Sequence, residues 1–216
     1  VLSDAGKHDE ARVPLERALA LSEAKQGADN PMQANILNNL AVIAQETGKL
    51  DEAMSMFERS RKIMEAIKGP ESADVVEAYL NEAVVLKRQK KLADAVALEH
   101  RILPIAEKSF GPEHPKVAML LVNLGFHEEA LDRPKDALEH HTRALAIFEK
   151  KLGKDSPYVS YALLGLGQDY DDLQRPADAV PLFERAVEIR TKAGMPPSAI
   201  KEATDSLAFA KKKLHR

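Results

Sequence analysis

The sequence contains no cysteine and no tryptophan, and aromatic residues make up only 5% of its 216 residues. Without cysteine there is no disulfide framework, no thiolate nucleophile and no cysteine-based zinc site. That composition fits a reducing compartment, and the chain is read as cytoplasmic. No apolar run approaches the roughly 20 residues that a membrane-spanning helix needs, and no signal peptide opens the chain. Val1 to Asp4 read as the tail of a helix that begins upstream, so targeting stays unread. A charge of one sign is lacking too: 31 Lys and Arg stand against 34 Asp and Glu, for a net charge of −3. Nucleic acid calls for a dense basic surface and is excluded on that ground. There is no His-Glu-x-x-His zinc motif, no Gly-x-Ser-x-Gly elbow and no Gly-Lys-Ser/Thr phosphate loop. The adjacent pair His140-His141 does not share a helix face. These absences point away from an enzyme and imply no cofactor and no metal.

What is present is a repeat. Ala11, Ala53, Ala95, Ala137 and Ala179 follow one another at a constant spacing of 42 residues. Periods of about 20–50 residues mark solenoids, in which each unit buries its apolar face against its neighbours. Hydrophobic residues at 44% supply enough material for burial, and charged residues at 30% suit helices with one long solvated face.

Each unit reads as two helices and two turns. The inter-repeat turns begin at Gly27, Gly69, Gly111 and Gly153. There glycine takes positive φ and closes the preceding helix. Asn30, Ser72 and Ser156 are good N-caps, His114 is a poorer one, and Pro31, Pro115 and Pro157 suit the first helical turn. Helix A is predicted over 31–46, 73–88, 115–130 and 157–173, and helix B over 50–68, 92–109, 134–152 and 176–193. An isolated helix B precedes them at 7–26, and an isolated helix A follows at 198–213. In that last helix Ile200, Leu207 and Leu214 form one apolar stripe able to cap the stack. Its closing run Lys211 to Lys213 reads as a solvated end that suits a helix C-terminus. One array therefore covers 1–216: the end of a partial repeat at 1–29, helix pairs at 30–71, 72–113, 114–155 and 156–196, and a capping helix with basic tail at 197–216. Arg17, Arg59, Arg101, Arg143 and Arg185, six residues after each repeat alanine, resemble a phosphate ladder, but their face favours salt bridges between neighbouring units.

Asn39-Leu-Ala, Gly48-Lys-Leu-Asp-Glu-Ala and Phe57-Glu-Arg resemble the tetratricopeptide repeat, in its 42-residue kinesin-light-chain-like form. The resemblance covers essentially the whole chain. It implies an all-α, right-handed α-α superhelix of antiparallel helix pairs, helix A lining a concave groove and helix B lying outside. It further implies a protein–protein interaction scaffold that holds a peptide or partner segment, with chemistry left to other domains. In that family the Asn of Asn-Leu-Ala commonly hydrogen-bonds a bound peptide backbone. The matching positions are Asn39, Asn81 and Asn123, and Gly165 ends the ladder. An amide offers both donor and acceptor for the task, and it serves equally to bridge adjacent A helices. Helical spacing adds Asn35, Asn38, Val42, Glu77, Val84, Arg88, Met119, Phe126, Tyr161 and Gln168 to the groove; Val84 and Met119 also suit packing between repeats. Asn38, Val42 and Met119 stand where a carboxylate clamp needs Lys or Arg, so no clamp is expected. Glu46, Glu77, Asp171 and Asp172 offset Lys87 and Arg88, so a preference for acidic cargo does not carry over.

Two readings compete with the groove. The array self-associates or serves as a spacer or sensor arm in a larger protein. Alternatively, Glu82 and Glu99, both placed where the repeat wants apolar side chains, form a cation or acid/base site with His100 or His127. The plainer alternative is that each Glu reaches solvent or pairs with an Arg of the next repeat. His141 likewise replaces the residue seen as Leu15, Phe57 and Phe183.

Overall fold

The computed structural model describes residues 8–26 and 30–214. The helix tail expected at Val1–Asp4, the turn residues 27–29 and the last two residues of the basic tail lie outside the described residues. Among the described residues there are ten α-helices and no strand: α1 (His8–Gln26), α2 (Pro31–Glu46), α3 (Leu50–Lys68), α4 (Ala73–Arg88), α5 (Leu92–Phe110), α6 (Pro115–Glu129), α7 (Pro134–Leu152), α8 (Pro157–Asp172), α9 (Pro176–Lys192) and α10 (Pro197–Leu214). The expected boundaries agree with these to within a residue or two. The chain divides into two compact units, the first ending at Ser109 and the second beginning at Phe110.

In the first unit α1 packs on α2, α2 on α3 and α3 on α4. In the second, α6 to α10 pack each on the next, with further contacts of α8 on α6 and α10. All five register alanines are buried, Ala53, Ala95, Ala137 and Ala179 completely. The reason is close approach: a Cβ added at Gly167 would lie 2.5 Å from the Phe183 ring, so the third residue of the helix A signature must be small.

The turns explain the helix ends. Gly69, Gly111 and Gly153 have φ of 87°, 98° and 87°, in the left-handed region that glycine enters without steric cost. The short turn inside each repeat also uses a positive φ at 42-residue intervals, at Gly48, Lys90, Asp132 and Gln174. Capping departs from expectation. Asn30 makes a full capping box with Gln33, but neither Ser72 nor Ser156 accepts a side-chain cap bond. His114, the expected poor cap, accepts from the Lys116 N–H at 3.1 Å through Nδ1, because an unprotonated imidazole nitrogen is an acceptor.

Two of the arginines in register pair with the preceding repeat. Arg59 binds Glu23 at 2.6 Å and Arg185 binds Glu149 at 2.5 Å, each reaching one helix B back. Arg143 and Arg185 also donate to the Pro112 and Lys154 carbonyls of the preceding turns. Arg101 instead lies over the Tyr79 ring. The last helix differs from its reading. α10 buries Ala203 and Ala210, whereas Leu214 is 43% exposed, because alanines permit close approach to α9. Lys211 and Lys213 pair with Glu184 and Asp171. Arg190, also buried, donates to Ser160 Oγ, Glu202 and the Ala199 carbonyl, tying α9 to α8 and α10.

Candidate functional site: the A-helix faces and the polar exceptions

The first unit brings four expected groove residues together. Asn35 and Asn38 on α2 and Glu77 and Asn81 on α4 line a cleft of about 260 Å³, closed below by Ser60 and Met64. Asn81 Nδ2 donates to Asn38 Oδ1 at 3.1 Å, and Arg88 donates to the Gln45 carbonyl at 2.8 Å. Two of these side chains thus bridge adjacent A helices. Asn39 is exposed, and Val42 packs partly against the core of Ala41, Ala44, Phe57 and Val85. Val84, read as a groove residue also suited to packing between repeats, is 43% exposed.

In the second unit Asn123 is exposed and Met119 half-buried. Phe126 meets the His141 ring edge-on, with centroids 4.8 Å apart. Tyr161 lies beneath the Arg190 guanidinium, and Gln168 donates to Asp172 at 3.0 Å. Phe126 and Tyr161 therefore hold the scaffold as well as presenting a ring edge.

The polar exceptions are built as pairs, and the sequence reading had only one member of each. Glu82 is 5% exposed and accepts from Arg61 Nε at 2.6 Å. Arg61 stands where other units carry Leu19, Leu103, Leu145 and Val187. Burial pushes the Glu82 carboxyl above its ordinary value, and Arg61 pulls it back. The countercharge for Glu82 is thus an arginine, as in the plainer alternative, but one of the preceding repeat and not of the next. Glu99 is buried as well.

His141 is fully buried, its Nδ1 2.7 Å from Asp169 Oδ2 and its Nε2 3.3 Å from the Val122 carbonyl. Asp169 occupies the position of Ile43 and Val85. The imidazole fills the space over two glycines. A Cβ at Gly125 or at Gly165 would lie 2.4 Å from it. Gly165 ends the asparagine ladder for that reason: an asparagine there would collide with His141. Glu128, at the position of Ala44 and Leu86, holds His140 at 2.7 Å. Arg61 and Glu128 were detectable as charged residues at 42-residue positions that are uncharged elsewhere, and Asp169 at one that holds Ile43, Val85 and His127, but pairing them needs three-dimensional contact.

Nearby, Glu129 has a buried Oε2 with no hydrogen-bond partner. Burial first, then the charges of Asp172 and Asp169, push its carboxyl up to about 7 from an ordinary 4.5. Burial also raises Asp169, against the pull of His141, and raises Asp172. The folded state holds a proton that the unfolded chain has lost, so stability is full below pH 4.5 and declines as pH rises to about 7. Thermal melts between pH 4.5 and 8 should show this decline, and Glu129→Gln should reduce it by about 2 kcal/mol. An unchanged slope in that variant would remove Glu129 as its source.

No helix among the described residues is long and apolar enough to cross a membrane. The sequence model of the tetratricopeptide repeat matches residues 1–66, 74–150 and 116–192. No curated protein matches the chain. Among solved structures, BtubC (BKLC) from P. vanneervenii is similar, with a TM-score of 0.81 and 21% identity over 96% of this chain and 83% of its own. A Podosopora anserina kinesin-light-chain structure with nearly identical TPR-like repeats gives 0.74 and 22% over 87% of this chain and 89% of its own. The apo form of RapI gives 0.73 and 20% over 86% of this chain and 50% of its own. At these identities the likeness shows the fold, an all-α superhelical repeat of helix pairs.

Proposed function

The chain belongs to the tetratricopeptide repeat family, and from that membership we propose that it is a scaffold holding an extended or helical peptide on its A-helix faces. Repeats of this family generally mediate protein–protein interaction. The observation that carries the finer reading is the distribution of amides. Asn39 on α2 and Asn123 on α6 are exposed, at the ladder position, and free of the bridging that occupies Asn81. A side-chain amide satisfies a peptide N–H and C=O at once, which binds backbone without regard to side chain. The cleft between Asn35, Asn38, Glu77 and Asn81 offers room for one small side chain beside it.

Selection of a displayed 12-residue peptide library on the wild-type protein tests this reading. Enriched peptides should lose about tenfold in affinity for Asn39→Ala or for Asn123→Ala, the scale of one backbone hydrogen bond to an amide. Peptides that bind both variants as tightly as wild type would sink the A-face reading. Sedimentation at several concentrations separates it from self-association, in which the protein's own copies would be the ligand.

A further inference from the structure

A second hollow in the first unit has a lining that shares no residue with the cleft just described. It is a trough of about 720 Å³ with two helical walls and a helical floor. Asp51, Met54, Ser55 and Glu58 of α3 form one wall, and Asp94, Ala97, Leu98 and Arg101 of α5 form the other. Both sets follow the spacing i, i+3, i+4, i+7, a single stripe about two turns long. Glu82, Leu86 and Gln89 make the floor, with Lys91 at one end.

Two of the floor residues are exceptions to the repeat. Glu82 and Gln89 stand where the 42-residue register places Leu124 and Leu131, and again Leu166 and Leu173, in the second unit, while Leu86 stands where it places Glu128 and Tyr170. Glu82 and Gln89 thus give the floor hydrogen-bonding groups that those leucines lack.

Its lining has two characters. Met54, Leu86 and Leu98 are only half-buried and Ala97 is exposed, which leaves a continuous apolar strip. Four carboxylates stand against two cations, and Arg101 is already placed over Tyr79. Glu82 is held by Arg61, and Asp51 accepts from Gln89 Nε2 at 2.8 Å. Glu58 on one wall and Asp94 on the other are exposed and carry no ion pair with any described residue. The second oxygen-bearing group of the floor, Gln89 Oε1, is buried without a donor.

We propose that this trough is a second docking surface, distinct from the asparagine cleft, for an amphipathic helix of a partner protein that carries an apolar stripe flanked by Lys or Arg. Two walls with matching helical stripes suit a third helix lying between them, its i, i+3, i+4 anchors on Met54, Leu86 and Leu98. A cation on each side of that stripe meets Glu58 and Asp94. Such a helix also brings side-chain N–H donors within reach of Gln89.

The test uses the full chain and a fluorescein-labelled 14-residue Leu/Lys peptide patterned as an amphipathic helix. Controls are a scrambled peptide of equal composition and a Leu/Glu peptide of equal pattern, all followed by fluorescence anisotropy. The expected result is binding of the patterned Leu/Lys peptide alone, a loss of at least about tenfold in Glu58→Lys/Asp94→Lys, and little change in Glu113→Lys/Glu188→Lys. Leu98→Ser should lose about threefold or more through its apolar contact. Asp94 lies in the first turn of α5, where a cation opposes the helix dipole, so the double variant should lose about 1 kcal/mol of stability and keep its helical circular dichroism at the assay temperature. Equal losses in the two charge-reversal variants would mean unspecific attraction and overturn the proposal. So would equal binding of the scrambled peptide, or a loss seen with Asn39→Ala and not with Glu58→Lys/Asp94→Lys.

Discussion

His141→Ala should lower the stability of the second unit by about 3–5 kcal/mol, read from urea unfolding at pH 7. Two effects add. Asp169 is fully buried and its Oδ1 already lacks a partner, so removing the imidazole leaves the whole carboxylate without a donor. An unpaired buried charge of this kind is among the costliest single lesions. The second effect is volume. The ring fills the space above Gly125 and Gly165, neither of which has a side chain to fold into the hole. Phe57 and Val85 occupy the corresponding positions in the first unit, within one apolar core. The double change His141→Phe/Asp169→Val therefore restores a pairing this fold already uses. It should recover most of the loss, to within about 1.5 kcal/mol of the wild type. A double variant no more stable than His141→Ala would mean that the polar pair is not the source of the effect.

Arg61→Ala should cost the first unit about 2–4 kcal/mol at pH 7 and less in acid. Arg61 donates to Glu82 at 2.6 Å, to Glu65 at 2.8 Å and to the Tyr79 hydroxyl at 3.3 Å. Its removal leaves Glu82, whose carboxyl is already raised by burial, without its hydrogen-bonded countercharge, and only the smaller pull of Arg101 remains. The sign follows from linkage. A carboxyl raised in the folded state is harmless while protonated, so the penalty is absent below the ordinary value of 4.5 and grows as pH rises through the raised one. Denaturation of wild type and variant at pH 4 and pH 8 checks this, with the larger gap expected at pH 8. Arg61→Leu/Glu82→Leu, the apolar choice made in other repeats, should be as stable as wild type or more so. A double variant as weak as Arg61→Ala would refute the pairing argument.

These pairs show where local reading stops. His141 and Glu82 were conspicuous, because each breaks a 42-residue pattern. Asp169 and Arg61 break it equally, yet their partners are 28 and 21 residues away along the chain. Distance along the chain does not say which two departures meet. The same holds for Gly165, which reads as the loss of a binding asparagine until His141 is seen to occupy that asparagine's space. Capping failed on a finer scale: Ser72 and Ser156 have suitable extended backbones but aim their hydroxyls elsewhere, and a rotamer choice of that kind has no sequence signal.

By itself the sequence determined the helices, their boundaries and their pairing, because a repeating pattern states each helical stripe and each turn several times over. The alanine register carried that information, and burial of all five alanines follows from helix B lying close against helix A. Only the tertiary structure decided which polar exceptions neutralise one another, which amides are bridged and which are exposed, and which side chains line the trough of the first unit. Those outcomes depend on side chains from different repeats meeting across helix contacts, and a linear register gives each position its address without giving its neighbour.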